Sequence, residues 1–125
     1  MDKLKTQQTG QLAEKQACDY LQRQGLRLIE CNYRTRAGEI DLIMQDKEDI
    51  VFIEVRLRNN RHFGSGIDSI DYSKQQKIVK TAMHYLSEKQ LLDTVNCRFD
   101  VIGISYRQPK VEIEWIQDAF STDDF

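Results

Sequence analysis

The sequence has few cysteines and no long apolar run, and these shortages exclude several classes of protein. Its 125 residues include three cysteines, Cys18, Cys31 and Cys97, which are widely spaced and form no CxxC pair. Disulfide scaffolds and zinc ribbons need closely paired cysteines, so neither is expected. The longest uninterrupted apolar run is residues 50–53, far short of the roughly 20 residues of a membrane-spanning helix. We therefore expect a cytoplasmic protein without a membrane segment.

Charge is distributed unevenly along the chain. No Lys or Arg follows Lys110, whereas residues 111–125 contain five acids and form a short acidic C-terminal segment. Residues 1–110 hold all 18 basic residues against 15 acids, a balance of +3. The body of the protein can therefore present a basic face to a polyanion such as DNA. Ordinary solvated surface charge is the alternative interpretation.

Residue periodicity predicts a single α/β domain over residues 1–125, with the element order α-β-β-β-α-β-β. The first predicted helix spans about residues 6–24 and ends at Gly25, and the second runs from Ser73, in a capping box with Gln76, to about residue 89. A polar loop is expected at residues 58–66. The predicted strands cover residues 26–33, 38–44, 51–57, 97–104 and 111–116. A mixed β-sheet flanked by helices is expected, with the short fifth strand at an edge.

The second and third strands form the most informative part of the sequence. Residues 38–44 and 51–57 each alternate apolar and polar side chains, so each strand has one apolar face. If the hairpin turns about residues 47 and 48, the two apolar faces match and Asp41 lies opposite Glu54. The apolar face predicted for the first of these strands consists of Ile40, Leu42 and Met44.

Two facing carboxylates suggest a bound cation. Like charges on neighbouring strands repel, so Asp41 and Glu54 are easier to retain if a cation lies between them. Arg56 lies two residues after Glu54 and points to the same side of the strand. Carboxylate oxygens that hold Mg²⁺, with a cationic side chain beside them, suit phosphodiester hydrolysis. The alternative is that both acids are solvent-facing and pair with arginines, of which the candidates are Arg34, Arg36 and Arg58.

The two strands carry a recognisable motif. Residues 38–43 read Gly-Glu-Ile-Asp-Leu-Ile, and residues 51–55 read Val-Phe-Ile-Glu-Val. This pattern resembles the signature of the YraN family of predicted endonucleases, within the restriction-endonuclease-like PD-(D/E)xK superfamily. The resemblance covers about residues 10–104 and implies a restriction-endonuclease-like core related to Holliday junction resolvases. Further matches are Gly10-x-x-x-Glu14-x-x-Ala17-x-x-Tyr20-Leu21, Asn32-Tyr33-Arg34-Thr35-Arg36, Phe63-Gly64, Lys74 and Arg98-Phe99-Asp100-Val101.

The resemblance also implies roles for individual acids. It makes Asp41 and Glu54 ligands of Mg²⁺ or Mn²⁺, and Glu14 a third acid of the same site. The residues around Glu14 agree with this role, because Ala17 and Leu21 follow it at helical spacing and place it along the apolar stripe. The alternative for Glu14 is an acid favoured by the helix dipole near the N-terminus.

One position departs from the family motif. Arg56 stands where the motif has the lysine of E-x-K, and arginine remains protonated, so it cannot act as a base. Arg56 can still bind the scissile phosphate, or it can neutralise Glu39 across the hairpin. Lys74, at the start of the second helix, is the candidate for the missing ammonium group. Its alternative is an exposed helix lysine.

Further residues are candidates for contact with nucleic acid or for purely structural roles. Tyr33 can stack on a base, although packing is the alternative. Asp100 is expected to be structural, and Cys31 to be a buried small hydrophobe. The candidate contacts to the DNA backbone are Arg34, Arg36, Arg58, Arg61 and His62, each with a surface or packing role as the alternative.

These observations predict a Mg²⁺-dependent or Mn²⁺-dependent endonuclease that acts on DNA, possibly branched or single-stranded, and that can form a homodimer. The main rival is a DNA-binding module of the same fold that lost its chemistry when arginine replaced the motif lysine. A third hypothesis is a scaffold that binds protein through the acidic C-terminal segment.

Overall fold

The helices and strands follow one another in the predicted order. A computed structural model describes residues 3–58, 70–107 and 110–122. The predicted loop at residues 58–66 therefore lies outside the described residues, apart from its first residue. The elements are α1 (Lys3–Arg23), β1 (Arg27–Arg34), β2 (Glu39–Asp46), β3 (Asp49–Leu57), α2 (Tyr72–Glu88), β4 (Cys97–Arg107) and β5 (Lys110–Phe120).

The five strands form one mixed sheet in the order β1-β2-β3-β4-β5. All neighbouring pairs are antiparallel except β3 and β4, which are parallel. Parallel neighbours need a crossover connection, and α2 lies in that connection. Neither helix in the described parts of the chain is long and apolar enough to span a membrane.

Each helix packs with its own cluster of buried side chains, and the two clusters take alternate residues of the central strands. The α1 cluster includes Val51 and Ile53, whereas the α2 cluster includes Phe52 between them. This alternation places the helices on opposite faces of the sheet. The α2 helix contributes Ile78, Val79, Ala82, Tyr85 and Leu86, and the α1 helix contributes Ala13, Ala17 and Leu21.

The predicted end of the first helix is confirmed. Gly25 has a φ of 102°, a left-handed conformation that glycine adopts without steric cost. Its amide donates to the carbonyl of Gln22, and the Leu26 amide donates to Leu21, both at 3.0 Å. These bonds satisfy helix carbonyls that would otherwise lack a donor.

The second helix begins at a different cap from the predicted one. Asp71 is the N-cap residue, because its side chain accepts a hydrogen bond from the Lys74 amide at 2.8 Å. Ser73, the predicted cap, lies within the helix. Aspartate and serine are about equally good N-caps, so the sequence alone did not separate them.

Asp71→Ala is therefore expected to destabilise the protein by about 1 kcal/mol. The matched variant Ser73→Ala should change the free energy of unfolding by less than about 0.5 kcal/mol. Urea unfolding of both variants measures the difference. A larger loss for Ser73→Ala than for Asp71→Ala would contradict the observed cap.

The hairpin register is confirmed from Asp46 to Leu42, but the ladder ends before the predicted pairs of Ile40 with Val55 and Asp41 with Glu54. The predicted apolar face of β2 is not continuous either. Leu42 pairs with Ile53 and Met44 with Val51, as expected. Leu42 and Met44 belong to the α1 cluster, whereas Ile40 belongs to the α2 cluster. The strand therefore changes its alternation between Ile40 and Leu42.

A backbone irregularity in β1 accompanies this change. Asn32 has a left-handed φ of 55° and lies between Cys31, which pairs with Leu42, and Tyr33, which pairs with Ile40. A residue in that conformation interrupts the two-residue repeat of a strand. Cys31, in the edge strand β1, is exposed, so its predicted burial is wrong.

The last strand is longer than predicted. It spans Lys110–Phe120 rather than residues 111–116, and it lies at an edge of the sheet as expected. Most of the acidic C-terminal segment is therefore part of the sheet.

Candidate metal centre

The candidate site begins where the β2–β3 ladder ends. Main-chain pairing runs from Asp46 with Asp49 to Leu42 with Ile53. Beyond that point the Val55 amide donates to Oδ2 of Asp41 at 2.8 Å. The carboxylate thus takes the place of a main-chain acceptor and is anchored to the neighbouring strand.

Three acids meet beside this anchor. One carboxylate oxygen each from Glu14, Glu39 and Asp41 lies within 4.8 Å of the other two. Glu14 comes from α1, and the other two come from β2. The change of alternation in β2 explains this convergence, because strict alternation would turn Glu39 and Asp41 to the face of Ile43, which packs in the α2 cluster.

Glu39 was not predicted as part of this cluster. It was expected to face Arg56, but Arg34 forms an ion pair with it, and the two are partners in the β1–β2 register. The spacing of the two acids could have predicted this, because Glu39 lies two residues from Asp41 and residues i and i+2 share a strand face.

Glu54 joins the cluster through Asp41. Its side chain is hydrogen-bonded to that of Asp41, and the residue is only 6% exposed. Two of the three acids named from the sequence, Glu14 and Asp41, therefore lie in one group with Glu39, and the third, Glu54, adjoins that group through Asp41.

Burial and neighbouring charges raise the pKa values of Asp41 and Glu14. Removal from water, and next the charge of Glu54, raise the pKa of Asp41 to about 8, against the opposing hydrogen bond from the Val55 amide. Partial burial also raises the pKa of Glu14, and the charges of Glu39 and Glu54 add to the effect. Without a cation Asp41 therefore retains a proton at pH values where an isolated aspartate has released it.

Two cations converge on Glu54. Lys74 Nζ lies 3.5 Å from its Oε2, and Arg56 Nη1 lies 3.4 Å from the same oxygen. Lys74 comes from the first turn of α2, and Arg56 from β3. An ammonium group is thus present beside the second motif acid, although the motif position itself holds arginine.

The predicted nucleic-acid contacts occupy different environments. Arg34, the last residue of β1, and Arg36, in the segment between β1 and β2, are both exposed. Arg58 pairs with Glu114 at 3.2 Å. Arg61 and His62 lie outside the described residues. Tyr33 is 8% exposed and packs edge-to-face on Tyr85, so its role is packing rather than stacking on a base.

Asp100 has the structural role expected of it. Its buried carboxylate accepts hydrogen bonds from the Arg98 guanidinium, the Trp115 indole and the Asp118 amide. The donors all belong to β4 and β5, so the Asp100 carboxylate ties these two strands together.

The donor set of the acidic cluster fits a divalent cation. Two oxygens bound to one Mg²⁺ at about 2.1 Å are at most about 4.2 Å apart. The three carboxylate oxygens already lie within 4.8 Å of one another, so small side-chain rotations would suffice. The raised pKa of Asp41 points the same way, because a cation would relieve the repulsion that causes part of the shift.

Comparison with known proteins agrees with the motif. The family model described as "Uncharacterised protein family UPF0102" matches residues 13–104. The chain belongs to the UPF0102 family. The resemblance to YraN proteins seen in the sequence is thereby confirmed, and the matched region contains every acid of the cluster.

Relatives in the UPF0102 family match most of the chain. A UPF0102 protein of Psychromonas ingrahamii is 56% identical over 111 residues, which is 89% of this chain and 88% of the relative. One from Nitrosococcus oceani is 50% identical over 111 residues, covering 89% and 90%. One from Coxiella burnetii is 46% identical over 118 residues, covering 94% and 96%.

Proposed function

We propose that this UPF0102 protein is a metal-dependent endonuclease that hydrolyses phosphodiester bonds in DNA. The observation that carries the proposal is the meeting of Glu14 from α1 with Glu39 and Asp41 from β2. Glu54 of β3 adjoins this group through Asp41, and the Lys74 ammonium lies 3.5 Å from Glu54. Acidic side chains with an adjacent cation are what metal-assisted cleavage of a phosphodiester requires. The resemblance to restriction-endonuclease-like enzymes supports the same reaction.

The acids would bind the metal ion. Glu14, Glu39 and Asp41 would hold Mg²⁺ or Mn²⁺, with Glu54 as a further ligand through its link to Asp41. The bound ion would supply Lewis-acid activation of water and would offset charge on the phosphate. The Val55 amide holds the Asp41 carboxylate in place, which limits the reorganisation needed when substrate binds.

Lys74 and Arg56 would act on the phosphate. Both lie next to Glu54, so a phosphate brought to the acids would also meet their positive charges. Such charges stabilise the negative charge that builds up on the phosphate oxygens in the transition state. Neither side chain needs to accept a proton for this role, so arginine at the motif position is compatible with it.

The position of Lys74 favours an enzyme over the rival binding module. The rival rests on the loss of the motif lysine, and α2 supplies a lysine to the same acid. A scaffold that binds protein through the acidic segment is less well supported, because most of that segment is the β5 edge of the sheet.

The test is a cleavage panel with single strands, flaps, duplexes and four-way junctions in Mg²⁺, Mn²⁺ or chelator. Metal-dependent cleavage of at least one substrate is expected, and Glu54→Gln should abolish it. DNA binding without cleavage by the wild type in either metal would instead establish the binding module. Cleavage that persists in the Glu54→Gln variant would remove the proposed site.

The variant Lys74→Gln, which lacks the ammonium group, is expected to cleave DNA about 10²-fold more slowly, as for other side chains that stabilise transition-state charge. The double variant Lys74→Gln/Arg56→Lys should recover part of the rate, because it places an ammonium at the motif position beside Glu54. Single-turnover rates of the wild type and both variants measure this effect. Lys89→Gln is the matched control, and an equal loss there would show that Lys74 has no special role.

A further inference from the structure

A groove outside the acidic cluster runs between α2 and the segment that connects β1 to β2. We call it the basic groove, and its charged or aromatic lining consists of Tyr33, Arg34, Arg36, Lys80, His84 and Glu88. Lys80 and His84 lie four residues apart on one side of α2, so the helix presents them to the same edge of the groove.

Packing holds the two walls of the basic groove together. A Cβ at Gly38 would lie 3.3 Å from Thr81 Oγ1 and 3.5 Å from Lys77 Cβ, so the connecting segment approaches α2 very closely. The Thr35 amide donates to the Gly38 carbonyl at 2.8 Å, and the Ala37 amide donates to Thr35 Oγ1 at 3.0 Å. These bonds define the turn that carries Arg36.

The charge of the basic groove is predominantly positive. Arg34, Arg36 and Lys80 are exposed cations, as their burial pattern shows. The acid of the lining, Glu88, is engaged by the Tyr33 hydroxyl, which donates to it at 3.3 Å. A polyanion would therefore meet the exposed cations Arg36 and Lys80 along this surface, together with Arg34, which is also paired with Glu39.

Arg34 links the basic groove to the candidate metal centre. Arg34 lines the groove and also forms an ion pair with Glu39 of the acidic cluster. Negatively charged DNA is repelled by bare carboxylates, so a cationic surface next to them is needed to bring the strand close.

We propose that the basic groove binds the phosphate backbone of DNA next to the phosphate that is cleaved. This inference rests on the proposed function, and it adds Lys80 and His84 to the arginines expected from the sequence. Contacts from lysine and arginine to phosphates position a strand without reading its bases. Binding through the groove is therefore sequence-independent and strongly dependent on salt.

The test compares two double variants of the full chain, each lacking two positive charges. Arg36→Gln/Lys80→Gln removes cations of the groove that make no ion pair with the acids, and Arg23→Gln/Lys110→Gln removes exposed cations elsewhere. Affinity for a labelled DNA duplex and single strand is measured without divalent ions across a salt series. The groove variant should bind about tenfold more weakly or worse, and the slope of log affinity against log salt should fall by about 2.

The outcomes separate the basic groove from the nuclease proposal. Equal affinities of the two double variants would overturn the groove, even if the wild type cuts DNA. Selective loss in the groove variant, with no cleavage by the wild type in any metal, would support the groove and reject the nuclease. The wild type could also bind polyglutamate as tightly as DNA, and the groove variant could lose affinity for both equally. That result would assign the groove to an acidic peptide and overturn the DNA proposal.

Discussion

Asp41→Asn is expected to reduce metal-dependent DNA cleavage by more than about 10³-fold while stabilising the metal-free protein. The loss of activity follows from removing the carboxylate that links the Glu14 and Glu39 oxygens to Glu54, and catalytic groups that act as a unit show losses of this size. The gain in stability follows because asparagine ends the charge repulsion but keeps a side-chain oxygen for the Val55 amide.

Two measurements on the same sample check this prediction. Single-turnover cleavage gives the rate, and thermal unfolding in chelator with and without added Mg²⁺ gives the stability. The Asp41→Asn variant should unfold at a higher temperature than the wild type in chelator and should gain less from Mg²⁺.

Asp19→Asn is the matched control for Asp41→Asn, since Asp19 is an exposed acid of α1. It should leave both the cleavage rate and the response to Mg²⁺ unchanged. A variant at position 41 that is inactive but also destabilised in chelator would show that Asp41 serves folding rather than metal binding.

The stability of the metal-free protein is expected to fall as pH rises from about 4 to about 8. The pKa of Asp41 is raised from 3.8 to about 8 in the folded state. Between these values the folded protein binds one proton more than the unfolded chain at this site. The free energy of unfolding should therefore fall by about 1.4 kcal/mol per pH unit from this group. The loss ends near pH 8, above which both states are ionised.

Urea unfolding in chelator over this pH range measures the slope, and Asp41→Asn should flatten it. Saturating Mg²⁺ should also flatten the slope of the wild type, because a metal ion binds the ionised acids and replaces the retained proton. A free energy of unfolding that rises between pH 5 and pH 8 in chelator would contradict the observed arrangement of Asp41 and Glu54.

These two results together test the central link between structure and proposed reaction. A site built to hold a cation is destabilising when empty and ionised, and it gains stability from the ion that it binds. An acid with only a structural role stabilises the fold when it is ionised and gains nothing from added metal. Asp100 is the internal comparison, because its three donors satisfy its charge without any ion.

Local sequence signals were sufficient for much of the fold. Apolar periodicity gave the element order, Gly25 gave the end of α1, and matching apolar faces gave the hairpin register. These features depend on residues close in the chain, where the choice of side chain acts directly on the backbone. The ends of α2 and β5 were less certain, since Asp71 and Ser73 are equally suitable caps and pairing with β4 extends β5 through residue 120.

The candidate site shows a sharper division between sequence and structure. Residue type and spacing pointed to Asp41 and Glu54, and the resemblance to the YraN family added Glu14 and Lys74 as candidates. They did not show that Glu39 turns toward Glu14, since this depends on the change of alternation between Ile40 and Leu42. The sequence also did not show that Glu39 pairs with Arg34 rather than Arg56, since the β1–β2 register places Arg34 opposite Glu39.

The sequence by itself therefore determined the family, the order of the elements and the acids available for chemistry. Only the tertiary structure decided which of those acids meet, which cations stand beside them and where a basic surface adjoins them. The physical reason is distance along the chain. Helix ends and strand faces follow from neighbouring residues, whereas the protonation of Asp41 and the place of Lys74 depend on charges that folding brings together from α1, β2, β3 and α2.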